Sequence, residues 1–258
     1  MERIIVIIPA RMRSSRFPGK PLAKILGIPM IGHVYYRTKM CKFLDEVFVA
    51  TCDREIYDYI VSIGGKVVMT SSRHERASDR VAEALIKIEA EQHKRYDIVV
   101  MVQGDEPMVL PEMIELAVKP MLKNSDIQVV NLMAPLKSEK EFRDPNEIKV
   151  VVDKNGFALY FSREPIPSTS RWSGKTIMFK QICIIPFRRD FLLKFSSLEA
   201  TPLEKIESVD MLRILEHGYK VKMVQVDYQT YSVDTPEDLK KVEKLMKNDP
   251  LVKLYGRK

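Results

Sequence analysis

Four cationic side chains lie within ten residues of one another near the amino terminus, at Arg11, Arg13, Arg16 and Lys20. Like charges this close repel one another unless an anion lies among them. Arginine can hold a phosphate through two parallel hydrogen bonds, and lysine adds a compact point charge. The segment has neither the Walker pattern nor the Gly-x-Gly-x-x-Gly fingerprint. It therefore predicts a polyphosphate site of another kind, with a solvated basic loop as the simpler interpretation.

Two aspartates far apart in the chain are candidates for a metal site. Asp105 lies in the sequence Gln-Gly-Asp-Glu-Pro at 103–107, and Asp234 lies in Val-Asp-Thr-Pro at 233–236. Two carboxylates together with phosphate oxygens suit octahedral Mg²⁺, which usually keeps several waters. Each aspartate also has a simpler interpretation as a turn or helix cap.

Short apolar runs precede the cationic loop and Asp105, and two more lie between them in the chain; all four predict buried strands. Such runs occupy 4–8, 46–50, 66–69 and 97–102, and helices are predicted between them over 30–40, 54–60 and 80–92, with Asp53 as the cap of the second. Strands and helices that alternate at this spacing predict a parallel, doubly wound α/β sheet. Ligands bind such sheets at the carboxyl ends of the strands, where the cationic loop and Asp105 would lie.

The second half of the chain has a looser pattern. Strands are predicted over 128–133, 149–153, 157–161, 180–187 and 220–226, with a turn at 153–156 and helices over 203–216 and 236–246. We interpret the chain as a single domain over 1–258 with a hairpin-rich insertion over roughly 128–190.

The segment 9–22 carries a family resemblance. It reads Pro-Ala-Arg-x-x-Ser-x-Arg-x-Pro-Gly-Lys-Pro-Leu and resembles the signature loop of sugar nucleotidyltransferases, in particular the 3-deoxy-manno-octulosonate cytidylyltransferase (CMP-KDO synthetase) family. The likeness continues through Gln-Gly-Asp-Glu-Pro at 103–107, Tyr-Phe-Ser-Arg at 160–163 and Val-Asp-Thr-Pro-Glu-Asp at 233–238. It implies a Rossmann-like nucleotide-diphospho-sugar transferase fold, with a mixed, mostly parallel sheet flanked by helices.

The resemblance also implies a reaction and a set of roles. CTP and a 2-keto-3-deoxy sugar acid, KDO or a close relative, would give CMP-sugar and pyrophosphate in a Mg²⁺-dependent step. The implied catalytic residues are Arg11, Lys20 and Asp105, and the implied metal ligands are Asp105 and Asp234. The candidates for nucleotide binding are Ala10, Arg11, Ser14, Lys20, Ser71, Ser72, Arg80 and Gln103. The candidates for acceptor binding are Arg16, Gln103, Arg163, Gln181, Glu207 and Asp210.

The acceptor half departs from the family pattern. Residues 181–187 read Gln-Ile-Cys-Ile-Ile-Pro-Phe, where the family has His-x-Gly-Ile-Tyr-Gly/Ala-Phe/Tyr, and Asp210 replaces a glutamate. Sites that hydrogen-bond substrate hydroxyls discriminate strongly between substrates. Two alternatives therefore stay open, a cytidylyltransferase for a different nonulosonate or modified KDO, and a catalytically silent nucleotide-binding protein. For Arg163, a structural ion pair is as good an interpretation as pairing with a substrate carboxylate.

Composition limits the partners and the location. The 42 basic residues exceed the 35 acidic ones by seven, and the two kinds are mixed along the chain. This net charge of +7 therefore does not indicate nucleic-acid binding. No apolar segment is long enough for a membrane span. The first apolar run, residues 4–8, is too short for the apolar region of a signal peptide. We therefore expect a cytoplasmic protein without a membrane partner. The insertion mediates dimers in the resembling family, which implies a homodimer, and lipopolysaccharide biosynthesis is the implied pathway. Three cysteines without a Cys-x-x-Cys pair do not suggest zinc or a disulfide framework.

Overall fold

The computed structural model describes residues 2–14, 16–174, 176–228 and 231–256. The chain forms two compact units, the first made of Met1–Glu115 with Thr230–Lys258 and the second of Leu116–Gln229. The insertion predicted over roughly 128–190 falls entirely within the second unit, which extends beyond it at both ends.

The elements are numbered in chain order. The strands are β1 (Ile4–Ala10), β2 (Lys24–Ile25), β3 (Ile28–Pro29), β4 (Glu46–Thr51), β5 (Val67–Met69), β6 (Ile98–Val102), β7 (Val130–Pro135), β8 (Lys149–Val152), β9 (Ala158–Ser162), β10 (Phe179–Ile182), β11 (Ile184–Arg188) and β12 (Lys222–Gln225). The helices are α1 (Met30–Lys39), α2 (Arg54–Ser62), α3 (Ala77–Gln92), α4 (Pro111–Lys123), α5 (Glu139–Arg143), α6 (Arg189–Ser197), α7 (Pro202–Glu207), α8 (Met211–Glu216), α9 (Pro236–Met246) and α10 (Val252–Tyr255).

The first unit is built on a parallel sheet in which β6, β1, β4 and β5 lie side by side in that order. Every residue of β1 and β6 is buried, as the continuous apolar runs predict for strands covered on both faces. The parallel arrangement predicted from the sequence is confirmed. Because the four strands run in one direction, the segments that follow Ala10, Thr51, Met69 and Val102 all leave the same edge of the sheet.

The carboxyl-terminal segment belongs to the first unit as well. Helix α9 begins as predicted, with Pro236 in its first turn and a capping box between Thr235 and Asp238. Its Val242 and Met246 are fully buried in a cluster with Ile25 and other apolar residues of the amino-terminal half. This packing returns residues 231–256 to the sheet that carries the cationic loop.

The second unit has its own mixed sheet, in the order β12, β7, β10, β8, β9. Strands β7 and β12 are parallel, and the other pairs are antiparallel. The predicted turn between β8 and β9 is confirmed, because Asp153 Oδ1 accepts hydrogen bonds from the amides of Asn155 and Phe157, both at 2.8 Å. Gly156 completes the turn in the left-handed region, with φ of 73°, where glycine carries no steric cost.

Two elements of this unit that were predicted as continuous are each divided in two. The strand predicted over 180–187 is interrupted at Cys183 and forms β10 and β11. The helix predicted over 203–216 is broken into α7 and α8, because Ser208 takes a left-handed conformation with φ of 54°. A left-handed residue ends a helix, and the apolar spacing on either side gives no sign of it.

The sequence analysis missed helices α4, α5, α6 and α10. Helix α4 has a clear signal, since its buried apolar residues recur at helical spacing, at Met113, Ile114, Ala117, Val118 and Met121. Helix α3 starts three residues before its predicted start, at Ala77. Among the helices described above, none is both long enough and apolar enough to cross a membrane.

Candidate active site

The cationic loop that follows β1 is folded back on itself by its own backbone. The amide of Gly19 donates to the carbonyl oxygen of Met12 at 2.9 Å, and Gly19 has φ of 76°, a conformation that other residues rarely adopt. Lys20 then starts a short 3₁₀ turn with Pro21 as its second residue. The loop therefore presents Lys20 from a tight turn rather than from an extended arm.

Asp53 holds the start of this loop and does not act as the predicted cap. It stands at the amino-terminal cap position of α2, but its side chain makes no capping bond. Its Oδ2 instead accepts a hydrogen bond from the amide of Met12 at 2.8 Å. The carboxylate of Asp53, which the sequence predicted as a helix cap, therefore holds the start of the cationic loop in place.

Asp105 is placed by close contact between the β6 loop and the end of β1. A Cβ atom on Gly104 would lie 2.9 Å from the carbonyl oxygen of Pro9, so only glycine fits without a shift of the backbone. The carbonyl oxygen of Asp105 accepts a hydrogen bond from the amide of Val233 at 2.9 Å. This single backbone bond brings Asp234 beside Asp105.

The side chain of Asp234 does not cap helix α9. Thr235 caps α9, and its Oγ1 accepts the amide of Asp238 at 3.2 Å. The carboxylate of Asp234 instead contacts two cations of the loop, with Oδ1 at 3.0 Å from both Arg16 Nη2 and Lys20 Nζ. Lys20 Nζ also lies 2.7 Å from Asp105 Oδ2. The structure thus brings the cationic loop and both aspartates together at one edge of the sheet.

The charges of this cluster are strongly coupled. The Lys20 side chain is 14% exposed, against 23% for Asp105 and 22% for Asp234. Burial lowers the pKa of Lys20, but the two carboxylates outweigh it and hold the pKa above its usual value of 10.5. Lys20 is therefore a permanent cation between two anions.

The two aspartates form an oxygen-only donor set that fits Mg²⁺. Among the residues that the structure describes, no three or more His, Cys, Asp or Glu side chains form a group that could hold a metal. A metal held here would therefore take its remaining ligands from water or substrate, as Mg²⁺ commonly does. Two carboxylates that converge on one point are what such an ion requires from the protein.

The nucleotide candidates near the loop differ in accessibility. Ala10 is buried at the end of β1, and Arg11 is exposed, with Nη1 3.4 Å from the carbonyl oxygen of His74. Ser14 Oγ accepts the amide of Phe17 at 3.4 Å. Gln103 is half-buried, directly before Gly104 at the end of β6. All four leave the sheet at the edge that carries Lys20.

The loop after β5 and the first turn of α3 carry the remaining nucleotide candidates. Arg80 is buried and donates to Thr70 Oγ1 at 2.5 Å and to the carbonyl oxygen of Ser71 at 3.2 Å. Ser72 is exposed. Arg80 therefore shapes the loop, whereas Ser72 is open to a ligand.

Glu83 is a residue of this site that the sequence analysis missed. It accepts the amide of Ser71 at 3.0 Å, the ring of His74 and Lys87 Nζ, the last at 2.7 Å. Burial opposes its ionisation, but these hydrogen bonds prevail and lower its pKa from 4.5 to about 2. Its four-residue spacing from Lys87 was the available signal, although that spacing alone indicates only an exposed ion pair.

Four of the acceptor candidates lie in the second unit, at Arg163, Gln181, Glu207 and Asp210. Arg163 donates from Nε to the carbonyl oxygen of Glu207 at 2.6 Å and from Nη1 to that of Pro145 at 2.8 Å, and its own amide donates to Glu207 Oε2 at 2.8 Å. These contacts favour a structural interpretation of Arg163. Gln181 Nε2 donates to Oδ1 of the buried Asn131 at 2.6 Å, and Asp210 stands at the cap position of α8.

A parallel α/β sheet whose carboxyl edge carries a cationic loop and two converging carboxylates is the architecture of a nucleotidyltransferase. Comparisons with known proteins support this class. The sequence profile described as "Cytidylyltransferase" matches residues 5–223. The chain therefore belongs to the cytidylyltransferase family, which consists of enzymes.

Individual relatives extend the comparison. The 3-deoxy-manno-octulosonate cytidylyltransferase of Geobacter metallireducens is 43% identical over 94% of this chain and 98% of its own. That of Syntrophotalea carbinolica is 46% identical over 93% and 97%. A solved structure of CMP:2-keto-3-deoxy-manno-octonic acid synthetase complexed with CTP is 38% identical, with a TM-score of 0.88 over 96% of this chain and 99% of that one. The resemblance and the fold that the sequence predicted are both confirmed.

Proposed function

We propose that the protein transfers CMP from CTP to 3-deoxy-manno-octulosonate, or to a close relative of that sugar acid, with Mg²⁺ as the cofactor. The observation that carries the proposal is the contact of Lys20 with both Asp105 and Asp234 at the carboxyl edge of the parallel sheet. The names of the relatives supply the nucleotide and the sugar acid.

The reaction requires no covalent enzyme intermediate. A hydroxyl oxygen of the sugar acid forms a bond to the α-phosphorus, the bond from that phosphorus to the bridging oxygen breaks, and pyrophosphate leaves while the hydroxyl proton passes to solvent. The protein contributes position and charge. Arg11, Arg16 and Lys20 would neutralise the phosphates, and Asp105 and Asp234 would hold Mg²⁺. The bound ion would stabilise phosphate charge and lower the pKa of the attacking hydroxyl.

The identity of the acceptor is the open part of this proposal. Gln181 pairs with the buried Asn131 through their amides, in the strand where the sequence departs from the family pattern. An amide pair offers a substrate hydroxyl different partners from those of a histidine. This favours, as the second candidate, a modified KDO or another nonulosonate as the acceptor.

A pyrophosphate-release assay with CTP, Mg²⁺ and a panel of sugar acids tests both candidates. Release with KDO is expected under the first, and release only with another acid would select the second. No release with any acid would contradict both and favour a silent nucleotide-binding protein. Replacement of CTP by UTP or ATP in the same assay measures nucleotide selectivity.

The remaining expectations are proposals of the same kind. We place the reaction in lipopolysaccharide biosynthesis on the strength of the relatives' names. We place it in the cytoplasm because nucleoside triphosphates are available there. We propose a homodimer formed by the second unit, because Leu159 on β9 is 61% exposed and Ile206 is 77% exposed. Sedimentation velocity of the wild type and of Leu159→Glu tests this, with a monomeric wild type as the contradicting outcome.

A further inference from the structure

Lys20 has used all of its hydrogen-bonding capacity within the protein. An ammonium group has three N–H donors and no acceptor. Nζ lies 2.7 Å from Asp105 Oδ2, 3.0 Å from Asp234 Oδ1 and 3.0 Å from the carbonyl oxygen of Val233. Three donors therefore meet three acceptors, and Lys20 can bind a phosphate oxygen only by releasing at least one of these partners.

The ammonium group of Lys20 also reduces the electrostatic repulsion between the carboxylates of Asp105 and Asp234. Two carboxylates held on one point repel each other, and the partly buried position of Asp105 and Asp234 weakens the screening by water. A cation between them removes that repulsion and keeps both side chains converged. Lys20 is thus well placed to keep the two aspartates in their metal-binding arrangement.

A divalent cation held between the two aspartates would compete with Lys20 for the negative charge of carboxylates that Lys20 now contacts through Asp105 Oδ2 and Asp234 Oδ1. Two cations so close together repel each other, and each weakens the hold of the carboxylates on the other. The phosphates of a nucleotide would relieve this competition, because they offer the ammonium new anionic partners while adding oxygen ligands for the metal.

We propose that Lys20 positions Asp105 and Asp234 and competes with the divalent metal for them, so that the metal binds tightly only together with the nucleotide. The role of the nucleotide in this inference rests on the proposed function. The competition between Lys20 and the metal depends only on the contacts described above and can be tested without nucleotide or sugar.

The experiment is a titration of the nucleotide-free protein with Mn²⁺ as the probe, followed by calorimetry and by the electron paramagnetic resonance of free Mn²⁺. We expect weak binding to the wild type and binding about tenfold tighter or more to Lys20→Gln, since charged hydrogen bonds no longer have to be broken. Lys20→Arg keeps the charge and should stay weak. Lys24→Gln is the matched control, because Lys24 is exposed on β2 and should behave as the wild type.

Thermal unfolding provides a second readout that covers poor folding of the variant. Lys20→Gln should have a lower Tm than the wild type in the presence of a chelator, and Mn²⁺ should restore it, because the ion replaces the missing ammonium between the aspartates. Mn²⁺ should change the wild-type Tm much less. If the variant folds only with metal present, the recovery of folded protein in Mn²⁺ gives the same result.

Two outcomes would overturn the inference. One is tight Mn²⁺ binding by the wild type without nucleotide, and the other is equal affinity in the wild type and Lys20→Gln. Failure of the proposed function has a different signature, which is the absence of pyrophosphate release by the wild type while the difference in Mn²⁺ affinity persists.

Discussion

At the scale of single residues, the site depends on which side chains have their hydrogen bonds satisfied elsewhere. Thr235 and Asp238 cap α9 between themselves, which leaves the carboxylate of Asp234 to Lys20 and Arg16. Asp53 stands at a helix start, yet it holds the Met12 amide. Asp53 lies at a helix start and Asp234 lies directly before one, where the sequence predicts a capping role. Only their hydrogen-bond partners show that neither side chain caps its helix.

Replacement of Asp105 tests the residue that joins the cationic loop to the proposed metal site. Asp105→Asn keeps the shape but removes the charge, and we expect kcat/KM for pyrophosphate release to fall roughly a hundredfold. The Tm should change little, because Asp105 lies at a partly exposed edge. Asp58→Asn, at an exposed ion pair with Arg54, is the control. Wild-type activity in Asp105→Asn would rule out its proposed role.

Replacement of Gly104 tests the close approach that positions Asp105. In Gly104→Ala the new Cβ meets the carbonyl oxygen of Pro9 at 2.9 Å, and backbone atoms cannot move aside as a flexible side chain can. We expect a loss of about 1–3 kcal/mol in the free energy of unfolding, measured by urea denaturation, together with reduced activity. Unchanged stability would show that the two loops can separate without cost.

At the scale of elements, the loops of the site are held by side chains from neighbouring elements. Asp53, between β4 and α2, holds the cationic loop, and Glu83 of α3 holds the loop after β5. Arg11 joins the two loops through the carbonyl oxygen of His74. The sheet supplies the common edge, and these contacts determine where each loop lies above it.

Asp53 should therefore affect nucleotide binding without contacting the nucleotide. In Asp53→Ala the Met12 amide loses its partner, and we expect KM for CTP to rise about tenfold with a smaller change in kcat, as the loss of one hydrogen bond predicts. Asp53→Asn keeps an acceptor oxygen and should restore most of the affinity. Steady-state kinetics of the three proteins decides, and equal KM values would contradict the positioning role.

At the scale of the whole molecule, the return of residues 231–256 to the first unit is what completes the site. The apolar cluster around Val242 holds this segment, and a buried polar network holds it as well. His33 Nε2 donates to the carbonyl oxygen of Ile25 at 2.8 Å, and Nδ1 accepts from the Tyr255 hydroxyl at 2.8 Å. Tyr255 in turn accepts from Arg37 Nε at 3.1 Å. Since a carbonyl can only accept, these contacts fix the tautomer of His33.

This network predicts a pH dependence of stability. Burial, with the nearby charge of Arg37, lowers the pKa of His33 below its usual 6.5, against the opposing effect of the Ile25 carbonyl. Below pH 6.5 the unfolded chain binds a proton that the folded protein does not, so the stability present above this pH is lost as the pH falls through the folded pKa. We expect urea unfolding to show this decline in the wild type.

His33→Gln provides the control, because glutamine can donate and accept without titrating. Its free energy of unfolding should be lower at neutral pH but should depend less on pH just below 6.5. Equal slopes of the free energy of unfolding against pH in the two proteins would contradict the assignment to His33.

Glu83 affects stability in a separate range of pH, because the stability from its lowered pKa is lost only as the pH falls from 4.5 to about 2.

The sequence by itself determined the parallel core, the bounds of α9 and the motifs of the site, because apolar periodicity, capping residues and loop composition act over a few residues. The tertiary structure alone decided that one ammonium is shared by two aspartates 85 and 214 positions away, and that Ser208 divides a predicted helix. Contacts between distant residues depend on the order of strands in the sheet and on the packing of helix α9. Local sequence patterns do not encode either of them.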